Sequence, residues 1–133
     1  MPKQKKHALI HNAIIVKKSP MHGYGVFAAK KIRKGEKIEE CYFIITKGGD
    51  RGFEDYYFDA HGKYAIFLGY GSIYNHADEP NADYILNMKR KVATIIADET
   101  IQKGEEIFIS YGEKWFKDRG YAPKKPRAKS RKK

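Results

Sequence analysis

The sequence predicts a mostly β domain built from several small sheets joined by irregular loops. Short runs rich in Ile, Val, Phe and Tyr recur along the chain, with Gly, Pro, Asn and Asp between them. No segment sustains a helical period beyond a turn or two. A length of 133 residues suits one domain, able to bury its own core but with little room for a second.

In order, the runs are "AIIVKK" (13–18), "GVFAA" (25–29), "EKIEECYFII" (36–45), "YAIFL" (64–68), "VATIIA" (92–97) and "EEIFISY" (105–111). Phe53 to Phe58 can form one helical turn. Two stretches echo each other: "IRKGEKI" (32–38) and "IQKGEEI" (101–107) share Ile-x-Lys-Gly-Glu-x-Ile. Each predicts a Lys-Gly turn, its glycine free to take positive φ, feeding a strand whose isoleucine packs inward. Seven residues used twice make a shared turn, not a repeat architecture.

The net charge of +11 suggests nucleic acid until it is localised. Residues 1–7 and 122–133 hold ten basic and no acidic residues, which leaves 17 basic against 16 acidic in 8–121. The basicity belongs to the ends, and the segment between them is close to neutral. "APKKPRAKSRKK" lacks apolar periodicity and carries two prolines, so it cannot offset its ordering entropy and is expected to be disordered. The expected organisation is a basic tail over 1–11, one domain over 12–120 and a basic tail over 121–133.

A single cysteine, Cys41, excludes an internal disulfide framework and a cysteine-based zinc cluster, and fits a reducing, intracellular setting. The longest apolar run near the start, Ala13 to Val16, is too short for a signal-peptide core or a membrane span. His7 and His11 lie four apart with no third ligand near in sequence, so no metal site is expected.

The chemistry concentrates in three places. In "SPMHGYGVFA", Gly23 and Gly25 flank Tyr24 before a strand, where backbone can approach a ligand closely. In "GYGSIYNHADEPNADY", Asn75, His76, Pro80 and Asn81 crowd a loop. Its Gly69-Tyr70-Gly71 start is a weak phosphate-loop signal, because neither a third glycine nor a Gly-Lys-Ser/Thr follows. In "KGEEIFISYGEKWF", Tyr111 ends a strand, and Gly112 and the pair Trp115-Phe116 follow. Taken singly, each has a plain structural reading: an ordinary turn, loop side chains that satisfy backbone groups, and core aromatics.

In this order and at these separations, the three pieces resemble the SET-domain protein lysine methyltransferases. Gly23-Tyr24-Gly25 matches that family's amino-terminal Gly-x-Gly. The run Asn75-His76-Ala77-Asp78-Glu79-Pro80-Asn81 matches its Asn-His…Pro-Asn loop, and Gly104-Glu105-Glu106-Ile107 through Tyr111-Gly112 matches its Gly-Glu-Glu-Leu…Tyr-Gly strand. The likeness spans about residues 12–120. It is greatest to the compact viral members that methylate a histone tail, through "VKKSP…GYGVFA", Glu54-Asp55-Tyr56 and "GEEI.ISYG…W". Ala77-Asp78 replaces the Ser-Cys that often follows Asn-His, and no carboxy-terminal cysteine cluster is present. Trp115 or Phe116 must then cover the cofactor.

The resemblance implies a SET fold, β-clip-like, whose carboxy-terminal segment threads a loop to form a pseudoknot, an exception to the usual absence of threading. It implies methyl transfer from S-adenosyl-L-methionine to a lysine amine, leaving S-adenosyl-L-homocysteine, without a metal. Tyr111 is then the catalytic tyrosine, and Tyr24 and Tyr56 are walls of the lysine channel. His22, Gly23, Tyr24, Gly25, Tyr74, Asn75, His76, Tyr111, Trp115 and Phe116 would hold the cofactor. Within that set, Asn75 and His76 match the groups that hold its adenine and amino-acid ends. Pro80 and Asn81 would tie the loop around the carboxy-terminal segment.

The chemistry is consistent with tyrosine-rich walls. An amine attacks only when neutral, yet lysine's unperturbed pKa is about 10.4. A narrow apolar channel beside a cationic sulfonium lowers it by desolvation and like-charge repulsion. Tyrosine rings exclude water and offer π faces to an ammonium.

Expected partners are a histone, another chromosomal protein or a ribosomal protein, with tail contacts to nucleic acid, a homodimer and no membrane. The setting would be cytoplasm or nucleoid, or a host nucleus for a viral or effector protein. Two other readings compete. One is a small basic nucleic-acid or chromatin-binding module without catalysis, against which the near-neutral central segment counts. The other is a catalytically dead SET domain, against which Tyr111, Asn75 and His76 count.

Overall fold

The computed structural model describes residues 9, 11–47 and 56–110. Among these, nine strands form two sheets: β1 (Ile14–Lys18), β2 (Tyr24–Ala28), β3 (Lys37–Thr46), β4 (Tyr57–Ala60), β5 (Lys63–Phe67), β6 (Asn75–His76), β7 (Ala82–Asn87), β8 (Val92–Ala97) and β9 (Glu106–Ile109). The orders are β4-β5-β3-β8-β7 and β1-β2-β9-β6. The fold is the mostly β arrangement of small sheets that the sequence predicts. No described helix is long and apolar enough to cross a membrane.

The larger sheet is antiparallel throughout and centres on β3. Alternation sends Cys41 and Phe43 inward and leaves Tyr42 and Ile44 exposed, as period-2 side chains require. Phe58 stacks on Phe67 with ring centroids 4.1 Å apart, and Tyr84 meets both rings edge-on. That stacking explains a departure from expectation. Tyr57 and Phe58, read as part of a helical turn, lie in β4 opposite Ile66 and Ala65, where the core holds Phe58 extended. Residues 53–55 of that stretch lie outside the described residues.

The twin Lys-Gly turns behave alike. Gly35 and Gly104 both take positive φ, 88° and 90°. Arg33 N donates to Glu36 Oε1 and Gln102 N to Glu105 Oε1, each at 2.7 Å. Ile32 and Ile101 exchange backbone hydrogen bonds, so the two turns lie side by side. The isoleucine after each, Ile38 and Ile107, is fully buried.

A register shift between Lys37 and Glu39 lets two consecutive residues of β3, Ile38 and Glu39, turn inward. At the chain's start, His11 bridges Glu39, and Asn12 N donates to Ile38 O at 2.6 Å. The ordered pairing therefore reaches the edge of the expected amino-terminal tail.

Candidate active site

The turn at Gly69-Tyr70-Gly71 already holds a side-chain carboxyl group from within the chain, that of Glu39. Glu39 is buried and accepts from Tyr70 N at 2.9 Å and from the Tyr74 hydroxyl at 2.7 Å. Gly69 sits at φ 69°, and a Cβ there would come 2.8 Å from Glu39 Oε2. A Cβ on Gly71 would strike Phe67 Cβ and come 2.9 Å from Cys41 Sγ. Burial, and then Glu39, push the Tyr74 hydroxyl well above its ordinary pKa. The Cys41 thiol is raised by the same causes in the same order. Cys41 is thus a core residue with little thiolate character. Tyr74, expected at the cofactor, is fully buried and its hydroxyl belongs to Glu39.

The polar loop that follows is fastened to β9. Its two-residue strand β6 runs parallel to β9, with Asn75 opposite Phe108 and His76 opposite Ile109, and Ala77 N donates to Ile109 O at 3.1 Å. At the loop's far end, buried Asn81 grips the same strand twice: Nδ2 donates to Glu106 O at 2.9 Å and Oδ1 accepts from Phe108 N at 2.8 Å. Asn81 thus supplies partners to backbone groups that a ladder would otherwise satisfy.

Asn75 is where the three sequence motifs meet. Its Nδ2 lies 3.1 Å from His22 O, 3.4 Å from Tyr24 O and 2.8 Å from Glu106 Oε2. It therefore joins the Gly-x-Gly turn, the Asn-His loop and the Gly-Glu-Glu strand through one amide. Ser19 closes the arrangement: its hydroxyl donates to Glu106 Oε1 at 2.8 Å and accepts from Met21 N at 2.9 Å. Ser19 N also donates to Gly23 O at 2.8 Å.

Gly25 is needed because the Glu106 carboxylate occupies the space where its Cβ would stand, with Asn75 Nδ2 only 3.0 Å from that point. Gly23 instead supplies a positive φ of 48°, with open space around it. Burial raises the Glu106 carboxyl above its ordinary range, and the bonds from Asn75 and Ser19 oppose the rise. No ion pair involving Glu106 occurs among the described residues.

Tyr24, at the start of β2, is 59% exposed and Tyr56, just before β4, is 48% exposed. Both offer free ring surface, but the hydrogen bonds that gather the motifs do not reach Tyr56. The His22 side chain is exposed, and it is its carbonyl that enters the cluster. His76 Nε2 lies 2.9 Å from Asp78 Oδ1, so the residue standing where the family often has Cys orients the ring. Tyr111, Trp115 and Phe116 lie outside the described residues, as do the carboxy-terminal tail, all of the amino-terminal tail but residues 9 and 11, and the segment that would close a pseudoknot. Sequence reasoning missed Ser19 and Glu106. Both fall inside the quoted motif stretches, but their partners are 87 and 31 positions away, so their roles are not readable from local sequence.

Comparison with known proteins agrees with this geometry. Residues 23–112 match the SET domain family model. Over 119 residues the chain is 27% identical to a histone-lysine N-methyltransferase of Schizosaccharomyces pombe named as specific for histone H3 lysine-37, covering 83% of this chain and 81% of that protein. A solved Plasmodium falciparum structure, described as a candidate histone methyltransferase, superposes with a TM-score of 0.68 at 35% identity, over 80% of this chain and 99% of that one. From its ordered motifs, their convergence on Asn75 and these likenesses, the chain belongs to the SET-domain family, among relatives named as histone-lysine methyltransferases.

Proposed function

We propose that this protein is an S-adenosyl-L-methionine-dependent protein-lysine N-methyltransferase acting on a histone or another basic chromosomal or ribosomal protein. The observation that carries this reading is the convergence of the three motifs on Asn75. Its amide hydrogens face three acceptors, and Asn75 Oδ1 is left without a partner among the described residues, although the residue is only 7% exposed. A buried acceptor beside a carboxylate that lacks a counter-charge suits a cationic donor. The cofactor's amino-acid end carries an ammonium, so the residues present fit it.

When bound, the cofactor supplies an electrophilic methyl group on a sulfonium. The chain's part is positioning, which can provide most of the rate gain of an in-line displacement. His22, Tyr24, Asn75 and His76 hold and orient the ligand. Tyr24 and Tyr56 wall off the lysine and exclude water, which favours its neutral form. The Tyr111 hydroxyl acts at the reacting amine and methyl. Trp115 and Phe116 would cover the ligand, whose product form is S-adenosyl-L-homocysteine. The family resemblance adds a carboxy-terminal pseudoknot to this reading. A homodimer and an intracellular setting accompany the reading.

The test is methyl transfer from labelled S-adenosyl-L-methionine, with chelator present, to histones and to ribosomal proteins. Label on lysine supports the reading. No label on either class, together with tight binding of nucleic acid by residues 12–120, favours the non-catalytic binding module.

A further inference from the structure

The mechanism above leaves one half-buried group without a role: the carboxylate of Glu106. Its position is tightly determined. Ser19 Oγ holds one oxygen and Asn75 Nδ2 the other, both at 2.8 Å, and glycine at position 25 makes the space. Two residues far apart in sequence, Ser19 and Asn75, thus converge to hold a half-buried carboxylate that no described cation neutralises. Such a group destabilises a fold when ionised. Retaining it is understandable if the charge serves a ligand.

What it does to Asn75 follows from donor and acceptor inventory. The carbonyls of His22 and Tyr24 can only accept, and so can an ionised carboxylate. Set among these three, the Asn75 amide has one satisfactory orientation, with NH₂ toward them and Oδ1 released for another partner. An amide's two ends are otherwise nearly interchangeable in shape. The Glu106 bond is the shortest of the three and the only charge-assisted one, so it dominates the choice.

We infer that Glu106 is a positioning residue for the cofactor's amino-acid end: it fixes Asn75 with Oδ1 available to the α-ammonium and supplies the negative charge that ammonium faces. This rests on the proposed cofactor reading and adds to it a residue that acts through another. It also gives a selectivity rule. The contribution of Glu106 is felt only by ligands that carry the ammonium.

Two ligands separate that role from a structural one. S-Adenosyl-L-homocysteine carries the amino-acid end, whereas 5′-methylthioadenosine shares the thioadenosine part and lacks that end. Calorimetric titration of wild type, Glu106→Gln and Ser19→Ala with both should show S-adenosyl-L-homocysteine affinity falling about tenfold in Glu106→Gln, the scale of a lost charge-assisted contact. The fall should be smaller in Ser19→Ala, where the carboxylate keeps its charge and loses one anchor. Affinity for 5′-methylthioadenosine should be unchanged in both, and ligand-free melting temperature should not drop in Glu106→Gln. Equal weakening of both ligands, or an unchanged S-adenosyl-L-homocysteine affinity in Glu106→Gln where the wild type binds it, overturns this inference alone. Wild type binding neither ligand overturns the cofactor reading and this inference with it.

Discussion

The two sheets hold together by different means. The five-stranded sheet relies on long antiparallel ladders and an apolar inner face, with Phe43, Phe58, Phe67 and Ile95 buried together. The four-stranded sheet ends in a two-residue parallel strand, β6. Side chains do much of its fastening: Asn81 grips β9, and Asn75, Glu106 and Ser19 join the motif loops. Apolar burial is non-directional and tolerates no cavity. A polar cluster instead fixes orientation, and any half-satisfied member is costly. One sheet is built for stability, and the other for holding groups at defined angles.

That contrast can be broken at its strongest point first. Phe67→Ala removes a ring that touches Phe43, Phe58 and Tyr84 and should cost about 3–5 kcal/mol of folding stability, read by denaturant unfolding. A loss below about 1 kcal/mol would show that the ring stack is not the core. The site should respond in the opposite sense. Tyr111→Phe should lower single-turnover methyl transfer on the order of a hundredfold, with cofactor affinity and unfolding midpoint unchanged. Unaltered turnover would remove Tyr111 from catalysis.

A subtler difference concerns pH. Burial raises the folded-state pKa of Glu106 above 4.5. Its contribution to stability is therefore present below the unfolded pKa and is lost as pH rises through the folded value. Glu106→Gln has no such group. The melting temperature of the variant minus that of wild type, without ligand, should grow as pH rises from about 4.3 and level off above the raised pKa. Asp98, also raised, chiefly by burial and then by Asp83 and Glu99, is common to both proteins and cancels. A pH-independent difference would mean Glu106 ionises freely in the fold.

How much of this was legible in the sequence follows the same division. The strands β1, β2, β3, β5, β8 and β9 coincide, to within a residue or two, with runs of Ile, Val, Phe and Tyr. The twin turns were legible because Lys-Gly-Glu carries its own geometry. Strand β7 was hidden because Asp83 and Asn87 on its exposed face gave it the composition of the preceding loop. Strand β6 was hidden because two residues have no period. Asn75 and Asn81 were legible through their place in an ordered motif. Glu106 stands in the same ordered motif, but its role was not legible, because Ser19 and Asn75 reach it only after folding. The hydroxyl of Tyr74 bonds Glu39, 35 positions away, a pairing that only the folded chain reveals.

The smallest effect belongs to the carboxy-terminal tail. Deleting residues 122–133 should leave methylation of a short free peptide nearly unchanged, because those charges act at long range. Activity on nucleic-acid-bound substrates should fall. Binding of the intact chain to such substrates should weaken more steeply with salt than that of the shortened one, through counterion release. Loss of peptide methylation on deletion would place 122–133 in the active site. A free histone tail is itself basic, so its attraction would be to acids such as Asp50, Glu54 or Asp55 and not to these lysines.

The central claim is that three motifs gathered on Asn75 form a metal-independent site for a sulfonium cofactor and its product. Calorimetric titration of the wild-type chain with S-adenosyl-L-homocysteine, with and without a strong chelator, tests it most directly. The account predicts saturable heat at one ligand per chain, equal in both conditions, with a matching rise in melting temperature. No heat and no thermal shift in either condition would contradict it.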